Sequence, residues 1–164
     1  MFLLTALALI GAGFVSPAHA QETEITIPTE GPPSGFGAGL LVGEPSGLSL
    51  AWRFGERSHL QGHASYSFFW NYARFGVDYV GAVAVVDWAE ANGRVPIGIG
   101  LGATLATGVD LDGLGVGGRV PFQVAYLNNN FPLEVFAEIA PAIYVLPDAT
   151  AGLEGSIGAR YYFF

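Results

Sequence analysis

The 164 residues are 51% hydrophobic and 13% aromatic, with 24 glycines, 10 prolines and no cysteine, which excludes disulfides and thiolate metal sites. Six arginines and no lysine stand against 14 acids, and the resulting net charge of -8 excludes a nucleic-acid partner. A mean hydropathy of +0.44 would suit transmembrane helices, yet beyond residue 20 no apolar run approaches the ~18 residues such a helix needs.

Residues 1–20 read as a secretory signal peptide: an apolar stretch over 2–15, then Ser16, Pro17 and the A-x-A-like trio Ala18, His19 and Ala20 before polar Gln21. Cleavage is expected after Ala20. The apolar stretch is shorter than the ~20 residues that span a bilayer, which argues against a helical anchor. Residues 21–34 are polar and acidic with Pro28, Pro32 and Pro33, and read as an extended lead-in.

From Gly35 onward the apolar residues alternate. Period two predicts strands at 35–43, 47–54, 59–69, 73–86, 95–105, 113–126, 131–146 and 150–164. The separators carry turn chemistry: GEPSG at 43–47, GERSH at 55–59, Trp70 and Asn71, ANG at 91–93, DLDG at 110–113, NNN at 128–130 and PDA at 147–149. Eight strands of about 10 residues, drawn from the 130 residues of 35–164, leave about 50 for seven connections. That arithmetic fits an all-β, eight-stranded antiparallel up-and-down transmembrane β-barrel over 35–164.

Alternation assigns the faces. Leu48, Leu50, Trp52 and Phe54 share one face of the second strand, as do Leu60, Tyr66 and Phe68 on the third, Phe75, Val77 and Tyr79 on the fourth, and Leu133, Val135, Ala137 and Ile139 on the seventh. This face is expected to meet lipid. The opposite parity holds Gln61, His63, Ser65, Ser67 and Gln123, with an interior ion-pair network of Arg53, Arg74, Arg119 and Arg160 against Asp78, Glu134, Glu138 and Glu154. Four charges of each sign balance. The apolar face is too rich in aromatics to be one side of a small sandwich core. The interior of eight strands is only wide enough for side chains, so arginines forking to carboxylates would plug it. Gly98, Gly100 and Gly102 share the inward parity and are expected to make room for arginines opposite. Trp52, Trp70 and Trp88, with Tyr161, Phe163 and Phe164, lie near strand ends and read as interfacial aromatics.

The chain's last segment, GSIGARYYFF at 155–164, alternates and ends on Phe164. It resembles the sorting signature of Gram-negative outer-membrane barrels, whose last strand closes the sheet against the first. Its outward set Leu153, Ile157, Ala159, Tyr161 and Phe163 has the opposite parity from Tyr162 and Phe164, so a lipid-facing Phe164 requires a bulge or a frayed last residue. Further segments, GFGAGLLVGEPSGLSLAW at 35–52, GVGGRVPFQVAY at 115–126, LEVFAEIAPAIYVLP at 133–147 and GSIGARYYF at 155–163, resemble a family of small OmpA-like eight-stranded outer-membrane barrels of uncharacterised function, known chiefly from spirochaetes. They cover about half of the chain beyond residue 20. The resemblance implies fold and a cell outer-membrane location, with 21–34 a periplasmic lead-in, and carries over no catalytic residues.

Catalytic candidates are sparse. His63 and Ser65, two apart on a strand, share a face and could pair a base with a hydroxyl, a His-x-Ser pair like that of lipid A deacylase barrels. The nearest acid that could orient His63 is Asp78, for which Arg74 competes; a row of polar interior filler is the expectation. With His59 read in a turn and His19 in the signal peptide, no His cluster exists for a metal. Asp110 and Asp112 lack the frame of a calcium loop and read as a solvated turn. The function to expect is a structural or surface-interaction barrel, without catalysis or cofactor. Its partners would be outer-membrane lipids, the barrel-assembly machinery and an external macromolecule. A narrow, porin-like solute pore and a lipid-modifying enzyme using His63 and Ser65 are the alternatives.

Overall fold

A computed structural model describes residues 33–55, 57–108 and 113–163. The signal peptide expected at 1–20, the lead-in up to residue 32, Asp110, Asp112 and Phe164 lie outside the described residues. The strands are β1 (Gly35–Glu44), β2 (Ser46–Gly55), β3 (Ser58–Ser67), β4 (Tyr72–Trp88), β5 (Gly93–Gly108), β6 (Gly115–Arg119), β7 (Phe122–Asn128), β8 (Leu133–Leu146) and β9 (Thr150–Tyr162). Consecutive strands pair antiparallel except β6 and β7, which each pair with β5 and β8; β9 returns to β1, and the sheet closes into a ring.

The ring has eight places for nine strands. The predicted sixth strand, 113–126, is divided at Val120 and Pro121 into β6 and β7, which both lie between β5 and β8. Proline supplies no N–H to a ladder. The gap is bridged by Val120 N donating to Pro141 O at 3.0 Å and by Gly100 N donating to Pro121 O at 2.8 Å. Other boundaries moved by one to three residues: β3 ends at Ser67, leaving Phe68, Phe69 and Trp70 to a turn closed by Asn71 at φ 52°. Asparagine tolerates this left-handed conformation, as Asn92 does at φ 50° between β4 and β5.

Register partners show how the ring closes. Arg94 faces Leu127, then Glu134, Arg160, Gly39, Ser49, His63, Gly76 and finally Thr104, so one circuit returns to β5 ten residues on. Ten residues of stagger at ~3.3 Å each, across eight strands ~4.7 Å apart, tilt the strands by about 40°. A ring this narrow leaves little room inside. The largest buried apolar cluster is Leu41, Ala125 and Phe136, and the remaining interior is mostly polar or charged. Leu40, Val42, Leu50, Val77, Ile139 and Ile157 face outward and exposed.

Gly102 lies opposite Arg119 in register, as expected, while the first atoms that side chains at the inward glycines of β5 would meet belong to shorter neighbours. A Cβ at Gly98 or Gly100 would strike Val80, at Gly100 also Pro121, and at Gly102 the Asp78 carboxylate and the Val77 carbonyl. In the last strand the β9–β1 register runs unbroken to Tyr162, which is buried, while Tyr161 and Phe163 face out; the parity of Phe164 lies outside the described residues.

These clashes predict a contrast between two glycines. Gly102→Ala should destabilise the fold by about 2 kcal/mol through overpacking, whereas Gly155→Ala, whose Cβ meets nothing within 4 Å, should shift stability by less than about 0.5 kcal/mol. Urea midpoints of the refolded variants check it, and equal midpoints would refute the register.

Candidate functional site: the charged interior

The inward parity brings all eight charged residues into the ring, each less than a tenth exposed. They form two clusters. Toward the end that holds residues 35 and 162, Glu134 accepts from Arg53 at 3.2 Å and from Arg160 at 3.3 Å, and Tyr162 donates its hydroxyl to the other carboxylate oxygen. Arg160 also donates to Ser49 Oγ at 2.8 Å and lies 3.9 Å above the Phe136 ring, an apolar wall that still attracts a cation. Further along the axis, Arg119 gathers Asp78 at 3.1 Å, Glu154 at 3.3 Å and Glu138, while Arg74 pairs with Glu154.

Gln61 joins the clusters. Its Oε1 accepts from Arg160 at 2.7 Å, and its Nε2 donates to Asp78 at 3.0 Å and Glu138 at 2.6 Å. Gln123 reinforces the joint by donating to Gln61 at 3.0 Å and to Glu138 at 3.2 Å. A primary amide is suited to this place because it accepts on one side and donates on the other. The four-to-four balance is unevenly distributed. The terminal cluster holds Arg53 and Arg160 against Glu134 alone, and the other holds Arg74 and Arg119 against Asp78, Glu138 and Glu154.

His63 and Ser65 also point inward, but their polar atoms are engaged separately. Arg119 Nη1 lies 2.7 Å from His63 Nε2. Arginine has only donors, so Nε2 is the acceptor and the ring proton sits on Nδ1, facing Asp78 Oδ2 at 3.8 Å. The lone pair a general base would use is thus held by a guanidinium. Ser65 Oγ turns to the Arg74 carbonyl at 3.5 Å. His59, expected in a turn, instead begins β3's inward row and is buried beside Arg53. Among the described residues no group of three or more His, Cys, Asp or Glu could hold a metal ion.

The aromatic set falls at both ends. Trp52 stacks on Phe36 at 5.5 Å and meets Phe54 at 5.6 Å; Trp88 meets Tyr126 at 6.1 Å; Tyr161 lies between Phe131 at 5.5 Å and Phe163 at 5.4 Å. All of these belong to the terminal end, whereas Trp70 occupies the β3–β4 turn at the distal end beside exposed Phe68 and Phe69. Sequence reasoning missed Ser49 and Tyr162 as network members and undervalued Gln61. The signal was available for each, since all three share the parity of Arg53, Arg160 or His63 on their own strands.

Comparison with protein-family models, curated proteins and solved structures finds no match to this chain.

The network predicts unequal costs. Arg119→Ala leaves three carboxylates short of their shared cation and should cost about 3 kcal/mol, while outward Val135→Leu should cost under about 1 kcal/mol. Denaturant titration of both variants decides it, and equal small losses would show that Arg119 does not hold the interior together.

Proposed function

We propose that the closed ring is an outer-membrane β-barrel of structural or surface-interaction function, OmpA-like in architecture, with an interior plugged by its own charges. The observation that carries this reading is the inverted distribution of polarity. Eight arginine, aspartate and glutamate side chains are buried in the ring while Phe36, Leu40, Val42, Leu50, Phe75, Val77 and Ile157 are more than half exposed around its outside. An apolar belt this continuous is costly in water and stable against lipid. Girdles of aromatics at both ends suit the two membrane interfaces.

In this reading the termini lie in the periplasm and the short β1–β2, β3–β4, β5–β6 and β8–β9 turns face outward. Phe68, Phe69 and Trp70 are 74%, 85% and 69% exposed, and give the β3–β4 turn the means to contact outer-leaflet lipid or an external macromolecule. The filled interior argues against a solute pore. The Arg119 contact on His63 argues against a deacylase.

Two measurements test the proposal. The chain carrying residues 21–164 should fractionate with outer membranes and migrate faster unheated than boiled in detergent gels; recovery as a monomer in detergent-free buffer would overturn it. The double variant His63→Gln with Ser65→Ala should leave lipid A acylation unchanged and reduce stability by about 1 kcal/mol, since a glutamine at position 63 keeps an acceptor for Arg119 and only the neutral Ser65 hydrogen bond is lost. Wild-type fatty-acid release that the double variant loses would establish the enzyme instead.

A further inference from the structure

At the terminal end of the ring, on the side built by β2 to β5 and β7, a small cavity lies beside the β2–β3 turn. Arg53, His59 and Gln123 form its polar wall, Arg57 stands at its rim, and Val80 and Ala82 supply an apolar wall. Its volume, about 10 Å³, takes one water-sized occupant.

Register and parity put these groups together. His59 opposes Arg53 across the β2–β3 ladder and Val80 across the β3–β4 ladder, so the three form one inward row. Gly98 opposes Ala82 on one side and Gln123 on the other and keeps the space open, since a Cβ there would come within 2.9 Å of Val80. The turn is held against β4 by Ala82 N, which donates to the Arg57 carbonyl at 2.7 Å.

The wall decides the charge of an occupant. A guanidinium has five N–H donors and no acceptor, and Arg53 commits its Nη2 to Glu134 at 3.2 Å. His59 carries an N–H even when neutral. Gln123 turns its amide to Gln61 and Glu138, so the donors of the cavity are those of Arg53, His59 and Arg57. Donors of positive charge beside an apolar wall, in a ring of low dielectric, attract an anion more strongly than water would allow. A space for one atom favours a monatomic ion, and burying one charge costs less than burying two. Such an ion also answers the uneven charge of this half. Arg53 and Arg160 share Glu134, and one bound anion would bring that cluster to two charges of each sign.

We propose that this cavity is a binding site for a single monovalent anion of halide size, chloride, held by Arg53 and His59 and admitted past Arg57. The site needs only the ring and its register, so it stands or falls separately from the membrane reading.

The width of the chloride NMR line, which broadens when the ion exchanges with a protein site, tests it. With the chain folded in nonionic micelles, the wild type should give saturable broadening that bromide reverses and inorganic phosphate, too large for the cavity, does not. Ala82→Leu fills the space with every charge kept and should remove the broadening. Arg57→Gln, at an exposed turn, keeps the space and should weaken binding about threefold, as the loss of a partly exposed charge contact does. Broadening that is absent from the wild type, retained at wild-type affinity by either variant, or reversed by phosphate as well as by bromide would overturn the proposal.

Discussion

Arg119 draws on Asp78 of β4, Glu138 of β8, Glu154 of β9 and His63 of β3, and so ties five places of an eight-place ring to one guanidinium. Burying charges is costly unless each finds partners in good geometry. Here arginines with five donors apiece meet carboxylates with two acceptor oxygens, and Gln61 supplies the polarity that connects the clusters. The hydrophobic effect does little of this work inside, where Leu41, Ala125 and Phe136 form the one apolar cluster among the described residues. The large apolar side chains that would ordinarily form a core lie instead on the outside of the sheet.

This arrangement makes register unforgiving. Side chains alternate with period two, so a one-residue slip of β9 would turn Glu154 and Arg160 outward and bring Leu153 and Ile157 in. Unpaired charge would then remain on every neighbouring strand. The ten-residue stagger and the inward glycines of β5 belong to the same constraint. A narrow ring can hold Asp78, Val80 and Pro121 at full size only where Gly98, Gly100 and Gly102 have no side chain.

Much of this was legible from alternation alone, because strands that separate two different environments write both faces into the sequence. Every one of the eight charged residues took its inward face from parity, and the eight places of the ring, though not the division of one of them into β6 and β7, followed from turn chemistry. Three things were less legible. Val120 and Pro121 preserve parity while breaking the ladder, so Arg119 and Gln123 remain inward on either side of a gap that period two cannot register. The β4–β5 hairpin was read short because Asp87 and Gly93 look like turn residues, although both are in strand. Partner choice was the third, since parity places Gln61 and Arg119 on one face without saying that one joins the clusters and the other gathers four side chains.

The same limit hid the uneven placement of charge. A count of four against four suggests a neutral interior, but the terminal half holds two arginines to one acid and the other half two arginines to three acids. Gln61 and Gln123 separate the halves without neutralising either. An ion moving along the axis would therefore meet repulsion in one half whatever its sign: a cation near Arg53 and Arg160, an anion near Asp78, Glu138 and Glu154. In a low-dielectric ring those opposing fields act over short distances with little screening. In the barrel proposed above, steric filling and electrostatics would disfavour conduction independently, and removing a single side chain to open space would relieve only the first.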